Sequence, residues 1–442
     1  MRRSTALLVA AAASAAVVTA AAPASAEPAP VDNGDRVART EASFDRVPFG
    51  TKKTDGQGVG AESYGAGRFI PSPAPRRVLD TRSGLGRDGV TAPVGAGGRI
   101  EVAIAELPKF TFAVVLNVTG TSPSASTYVT VWEGGAVDRP GVSVLNLVPG
   151  ETRANSVTSS VSIDHKINLY NNAGSTHLIA DVAGVYVYDY PSPDYTTPGR
   201  YFANGPARVY DSRNSGGPFW AGQTRTVDLA PAGVPSGATA VSLNVTGVDA
   251  TENTYVTAWP SGSDRPTASS LNVAPGATTP NGVTVGIGAD RRINLYNNAG
   301  YLNLVVDITG YYLPTENGGA DFYPVTPTRS YDTREHGWPI LPGDTITLLF
   351  MSSDVVTGNS LLMNLTGTEP TQNTYITAYP AGEAKPNTSV LNLAPGQTAP
   401  NMATVRLGSA YDDRDGTYRP AHSFYNNAGN THLVVDVFGI FA

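Results

Sequence analysis

The sequence predicts an all-β protein: three tandem antiparallel β-sandwich modules, immunoglobulin-like or jelly-roll-like, behind a flexible N-terminal tail. Three observations predict it. An ordered set of motifs returns three times at a long period. Within each copy apolar and polar residues alternate with period two, not 3.6. Finally, 47 Gly and 34 Pro among 442 residues punctuate the chain with turns. Hydrophobic residues make up 41% of the chain, enough to build cores, so disorder throughout is excluded.

In chain order, Arg2-Arg3, an Ala/Val/Leu run from Ala6 to Ala22 and the small-x-small triplet Ala24-Ser25-Ala26 read as an export signal over 1–26. The Arg pair is a weak twin-arginine match, because Ser4-Thr5 follow it, so general secretion is the expected route. Residues 27–67 are polar, Gly-rich and aperiodic, with too little apolar surface to offset the entropy of ordering them; they read as a flexible tail. No later apolar stretch reaches the ~18 residues of a membrane span. The expected location is secreted and extracellular, with any cell-wall association resting on binding to the envelope.

The repeats then set the domains. Asp80-Thr81-Arg82 returns as Asp211-Ser212-Arg213 and Asp332-Thr333-Arg334. Leu116 to Gly120 (LNVTG) returns at Leu243 to Gly247 and, as MNLTG, at Met363 to Gly367. Thr127 to Thr130, Leu145-Asn146 and Tyr170-Asn171-Asn172-Ala173-Gly174 each return twice more in the same order. An Asp follows the last motif's Tyr at 11 residues in every copy, as Asp181, Asp307 and Asp436. Other gaps vary and locate loops, the third copy having gained an insertion at about Tyr411 to Ala421. Pro/Thr/Gly-rich joints at Asp189–Gly199 and Pro314–Ala320 place the modules at 68–190, 199–313 and 320–442. Segments such as Phe112 to Thr119, Tyr128 to Trp132, Ser156 to Ile163 and Thr176 to Val182 read as short strands, roughly eight per copy, with no convincing helix. Copies of this length are each large enough to own a core, which disfavours a trefoil.

The succession RVLDTR, LNVTG, TYVTVW, SVLN, YNNAG and DVAGVY resembles a repeat of secreted actinobacterial proteins, found in tandem or appended to envelope hydrolases, and the resemblance spans nearly all of 68–442. It implies an extracellular all-β module of unassigned activity.

Composition and motifs exclude several functions. A charge of −7 argues against binding a phosphate backbone, and the absence of cysteine removes disulfides, thiolate metal sites and a cysteine nucleophile. Signature motifs of serine, metal-dependent and phosphate-loop enzymes are missing, and none of the five His occupies the same site in all three copies. The chain is therefore expected not to be an enzyme and to use no cofactor and no metal. Asp412, Asp413 and Asp415 fail the calcium-loop pattern, since Tyr411 and His422 occupy its first and twelfth positions.

Two recurring sets remain. Asp80 with Arg82, Asp211 with Arg213 and Asp332 with Arg334 read as two residues on one strand face; Asp181, Asp307 and Asp436 could meet the same Arg and clamp first strand to last. Calcium binding or a glycosidase-like carboxylate pair are the alternatives. In the second set Tyr128, Thr130 and Trp132 share one strand face, as do Tyr255, Thr257 and Trp259, then Tyr375, Thr377 and Tyr379, with Arg139, Arg265 and Lys385 each just before a Pro. That face either packs under a loop or lies open as a stacking platform for a sugar ring. The recurring Asn residues, among them Asn117, Asn155 and Asn171, either close turns or face a polar groove. The leading expectation is a secreted, non-catalytic, multivalent binder of cell-envelope polymer or surface glycans, with another secreted protein as a further partner class. The alternatives are an extracellular scaffold or assembly subunit and, third, an envelope hydrolase.

Overall fold

The computed structural model describes residues 36–44, 66–136, 138–188 and 197–442. The expected signal at 1–26 and most of the expected tail lie outside them. The described chain is nearly all-β, and its one helical element is a 3-10 turn at Ala230–Ala232. Among the described residues no helix is long and apolar enough to cross a membrane.

A short strand, β1 (Arg36–Thr40), comes first. The first sequence copy then runs β2 (Gly67–Asp80), β3 (Gly98–Ala103), β4 (Thr111–Thr121), β5 (Thr127–Glu133), β6 (Leu145–Leu147), β7 (Thr152–Ser160), β8 (Lys166–Asn171) and β9 (His177–Tyr188). The second runs β10 (Arg200–Asp211), β11 (Thr224–Asp228), β12 (Ala240–Val248), β13 (Thr254–Pro260), β14 (Leu271–Val273), β15 (Thr279–Gly286), β16 (Arg292–Asn297) and β17 (Asn303–Leu313). The third runs β18 (Phe322–Asp332), β19 (Thr345–Phe350), β20 (Ser360–Thr368), β21 (Thr374–Pro380), β22 (Leu391–Leu393), β23 (Ala399–Arg406), β24 (Gly408–Asp412), β25 (Thr417–Asn426) and β26 (His432–Phe441).

Strand order repeats with the sequence. The inner sheets read β2-β9-β4-β7, β10-β17-β12-β15 and β18-β26-β20-β23; the outer sheets read β3-β8-β5-β6, β11-β16-β13-β14 and β19-β25-β21-β22. Each pair sandwiches aliphatic side chains, as where Leu243 on β12 and Val256 on β13 join one core cluster. The alternation of the sequence explains the arrangement, since one face of each strand is aliphatic and must be covered.

The copies meet along a pseudo-threefold axis. Bridges Phe69↔Gly199, Tyr201↔Ala320 and Phe322↔Gly67 link equivalent positions in a cycle, the last joining the first and third inner sheets into eight strands. Six buried rings fill the axis, and cross-copy pairs Phe69–Tyr312, Tyr201–Phe441 and Phe322–Tyr186 have centroids 4.5, 4.3 and 4.1 Å apart. Close packing here explains the Gly of the DVAGVY motif: a Cβ at Gly184, Gly310 or Gly439 would lie 2.2–2.3 Å from the ring of Phe69, Tyr201 or Phe322. Of the ring hydroxyls, those of Tyr186 and Tyr312 bond each other at 2.7 Å and that of Tyr201 donates to the Thr309 carbonyl at 2.8 Å, while Phe441, at the position equivalent to Tyr186 and Tyr312, adds no polar atom that would need a partner.

The expected flexible tail is corrected at Arg36–Thr40. These residues pair in parallel with β19, and Phe44 beyond them is buried against Phe350. The third copy differs from the others to receive them. Its outer edge strand TITLLF is buried throughout, whereas β3 and β11 expose alternate residues. The insertion forms the hairpin β24–β25, whose Asp412 takes bonds from Arg39 (2.8 Å), Arg419 (3.2 Å) and Arg414 (3.3 Å). Arg39's hydrogen bonds, with those of Arg414, hold the Asp412 carboxyl well below the usual range. The insertion is thus an anchor for the tail strand.

Candidate functional site

The strand that alternates Tyr-Thr-Trp has its inner face in the core, with Val129 and Val131 buried. Its other face does not lie open. Trp132, Trp259 and Tyr379 are only 4%, 4% and 7% exposed, which removes them from the platform. The loop after the strand folds back over them: Thr130 donates to the Val142 carbonyl (2.9 Å), Thr257 to Ala268 (3.0 Å) and Thr377 to Thr388 (2.6 Å). Trp259 donates its indole N–H to Ser263 at 2.9 Å, satisfying the one polar atom a buried indole carries.

Tyr128, Tyr255 and Tyr375 stay half-buried at the surface beside the Tyr of the YNNAG motif, with centroids 6.2–6.3 Å apart. The exposed cations lie over that second ring: Arg139 at 4.2 Å from Tyr170, Arg265 at 3.7 Å from Tyr296 and Lys385 at 4.3 Å from Tyr425. Each copy therefore carries one Tyr–Tyr–cation cluster, whose second ring is half-buried in the first and third copies and buried under Arg265 in the middle one. Tyr170, Tyr296 and Tyr425 were legible as recurrent residues, but their place under the cation depends on the loop before each Pro. Beside Tyr255 opens a cavity of about 490 Å³, lined also by Asn272, Arg153 and Gln397 and so shared among the copies.

The clamp is built differently from the expectation. β2 ends at Asp80, and Arg82 sits in the following turn, where it returns to Asp80 through its backbone N–H (3.0 Å) and guanidinium (2.7 and 2.9 Å). Asp181 meets Arg77 instead, at 2.9 Å, and Arg77 also reaches Asp80 at 3.3 Å. The same chain of contacts joins Arg213, Asp211, Arg208 and Asp307, and then Arg334, Asp332, Arg329 and Asp436. A bulge just after Arg77, Arg208 and Arg329 turns each directly toward its Asp on the neighbouring strand. Hydrogen bonds from Arg82 hold Asp80 below the usual carboxylate range, while burial pushes Asp181, Asp307 and Asp436 above it despite their Arg partners. The missed Arg had a signal, standing three residues before the Asp in every copy. Among the described residues no group of three or more His, Cys, Asp or Glu is placed to hold a metal ion.

The Asn residues divide by role. Asn171, Asn297 and Asn426 tie the YNNAG turn, accepting from Thr127, Thr254 and Thr374 at 2.7 Å and donating to the turn's own carbonyls. A second set joins the copies. Asn281 donates to Asn117, Asn401 to Asn244 and Asn155 to Asn364, each at 2.9 Å. In return Asn117 donates to the Ser269 carbonyl, Asn244 to Ser389 and Asn364 to Ser143. The backbone N–H groups of Ser156, Gly282 and Met402, on strands at the sheet edges, donate to Asn281, Asn401 and Asn155. Each copy's exposed edge is thus capped by the next copy's amide, which is one way of disarming an edge strand.

No family model matches the chain, and no curated protein matches it. A chain from the solved structure of the Sulfolobus Turreted Icosahedral Virus aligns over 90% of this chain and 99% of its own, at 9% identity and a TM-score of 0.17. A likeness that low carries no argument.

Proposed function

We infer that the chain is a secreted, non-catalytic binding protein in which three β-sandwich modules close on themselves and present one contact surface three times to cell-envelope polymer or surface glycans. The observation that supports this reading is the Tyr–Tyr–cation cluster repeated on each copy. The half-buried Tyr128, Tyr255 and Tyr375 offer a ring and a hydroxyl edge to a sugar, and the cation lying over the second ring supplies donors beside it. Three weak contacts on one rigid body add through avidity. The clamps and the Asn cycle serve the frame that holds them.

Retention on peptidoglycan and on insoluble polysaccharides tests it. The wild type is expected to be retained, and a variant with Arg139, Arg265 and Lys385 all replaced by Ala to lose most of that retention while its far-UV circular dichroism is unchanged. Equal retention of a folded variant removes the clusters from the contact surface. A scaffold role is the second reading, favoured by the cyclic locking of the copies, and a folded wild type retained on none of these resins would establish it over the first.

A further inference from the structure

The middle copy carries an aromatic pair that the repeat does not. Trp220 and Tyr301 are 55% and 44% exposed, and their rings meet edge to face with centroids 4.6 Å apart. Their neighbours Phe219 and Leu302 are buried and exchange both backbone hydrogen bonds, 2.7 and 3.0 Å, so the following and preceding residues present their rings outward side by side. The matching bridges in the other copies, Val94↔Thr176 and Ile340↔Thr431, put Gly95 and Leu341 where Trp220 stands and Ser175 and Asn430 where Tyr301 stands.

The backbone under both rings is braced. Arg225 donates to the carbonyls of Gly217 and Pro218, both at 2.6 Å, and to Gln223 Oε1 at 3.1 Å, while its guanidinium lies 4.4 Å over the Phe219 ring. Gln223 Oε1 also accepts the Trp220 N–H at 3.0 Å. Across the corner, Tyr301 and Thr251 exchange hydrogen bonds of 2.9 and 3.0 Å. A large exposed indole held on a loop this constrained has its ordering cost met before any ligand arrives.

We propose that Trp220 and Tyr301 form a carbohydrate subsite private to the middle copy, taking a neutral pyranose of a polysaccharide with its C–H face on the indole and its edge against the tyrosine. The inference rests on the glycan reading above but assigns a different surface. The ligand class follows from the chemistry at the corner. Two π-faces at 77° fit a flat ring with apolar faces and a polar rim. Gln223 spends its oxygen on the loop, which leaves its Nε2 group to donate to a sugar hydroxyl. Arg225, the cation bracing this corner, is spent on backbone carbonyls, and the chain carries a net −7, so the corner is a poor match for an anionic polymer.

The test is affinity electrophoresis of the full chain through gels containing a soluble neutral glucan, a neutral mannan or anionic alginate, with the wild type, Trp220→Ala, Tyr301→Ala, Trp220→Phe and the Arg139/Arg265/Lys385 triple-Ala variant. The expected result is retardation of the wild type by at least one neutral polymer, weakened about tenfold in Trp220→Ala and Tyr301→Ala and largely restored in Trp220→Phe. Retardation that Trp220→Ala leaves intact but the triple variant abolishes overturns this subsite and keeps the broader reading. Retardation by alginate alone overturns the neutral assignment. No retardation by any polymer, with no retention on peptidoglycan, overturns the subsite and the glycan reading together.

Discussion

Replacing Asn281 by Ala attacks the contact between the first two copies at one buried point. The side chain donates to Asn117 Oδ1 (2.9 Å) and the Ser270 carbonyl (2.6 Å) and accepts the Ser156 N–H (3.1 Å). Asn281 is fully buried, so water does not take over these roles. Three polar groups lose their partner, and at about 1–3 kcal/mol for each buried unsatisfied group, with some relaxation, the loss is about 3 kcal/mol. Scanning calorimetry reads both this loss and the size of the unit it belongs to. With an unfolding entropy of about 2.1 cal/mol/K per residue, 3 kcal/mol lowers Tm by about 4 °C if some 370 residues melt together, and by about 12 °C if a single copy of some 115 residues melts alone. The cyclic links predict the first outcome, a single transition lowered by about 4 °C, and the pseudo-symmetry predicts shifts of similar size for Asn401→Ala and Asn155→Ala. An unchanged Tm, or one copy melting ahead of two unshifted ones, refutes the reasoning.

Other consequences follow from particular contacts. Gly310→Ala puts a methyl 2.3 Å from the Tyr201 ring and is expected to cost about 1–3 kcal/mol in urea unfolding, while Gly95→Ala, with open space around it, stays near zero. Arg208→Ala strands the buried Asp307 and is expected to cost roughly 3 kcal/mol, against less than about 1 kcal/mol for Arg213→Ala, whose side chain is 46% exposed; equal losses in thermal melts contradict the clamp as built. Burial pushes the His422 imidazole down to about 3, so the unfolded chain binds a proton below about pH 6.5 that the native chain refuses. Stability therefore falls as pH drops from about 6.5 toward 3, by at most about 1.4 kcal/mol per pH unit from this group, and His422→Leu flattens that slope in denaturant titrations at pH 7 and pH 4.5.

Much of the fold is legible in the sequence because a period-two pattern with an aliphatic face admits few architectures, and a constant gap such as Tyr170 to Asp181 marks a rigid unit. The alternation also separates Val129 from Trp132, since Val129 and Val131 join the core cluster and Trp132, though buried, does not. It says nothing of the loop that returns over Trp132, since cover is a tertiary property. Asp181 and Arg82 illustrate a different failure: alternation assumes that the strand runs on in register, but β2 ends at Asp80, which leaves Arg82 in the turn, and Arg77, beside the bulge, meets Asp181 instead. The recurrence of Asn117, Asn155 and their counterparts was visible, but their partners lie in other copies, and a repeat does not reveal how its copies meet. Arg36–Thr40 is a strand because of what the third copy offers it; by composition alone the segment resembles the tail around it.

The central claim is that the three copies close on one another, with each edge strand capped by the next copy's Asn. Hydrogen exchange at the backbone amides of Ser156, Gly282 and Met402 tests it most directly, because these N–H groups point away from their own sheets and are bonded only across copies. The closed arrangement predicts protection at all three close to that of central strands such as β9 and β17, exchanging only with global unfolding. Rapid exchange at these amides in an otherwise protected protein would show three copies strung side by side and contradict the account.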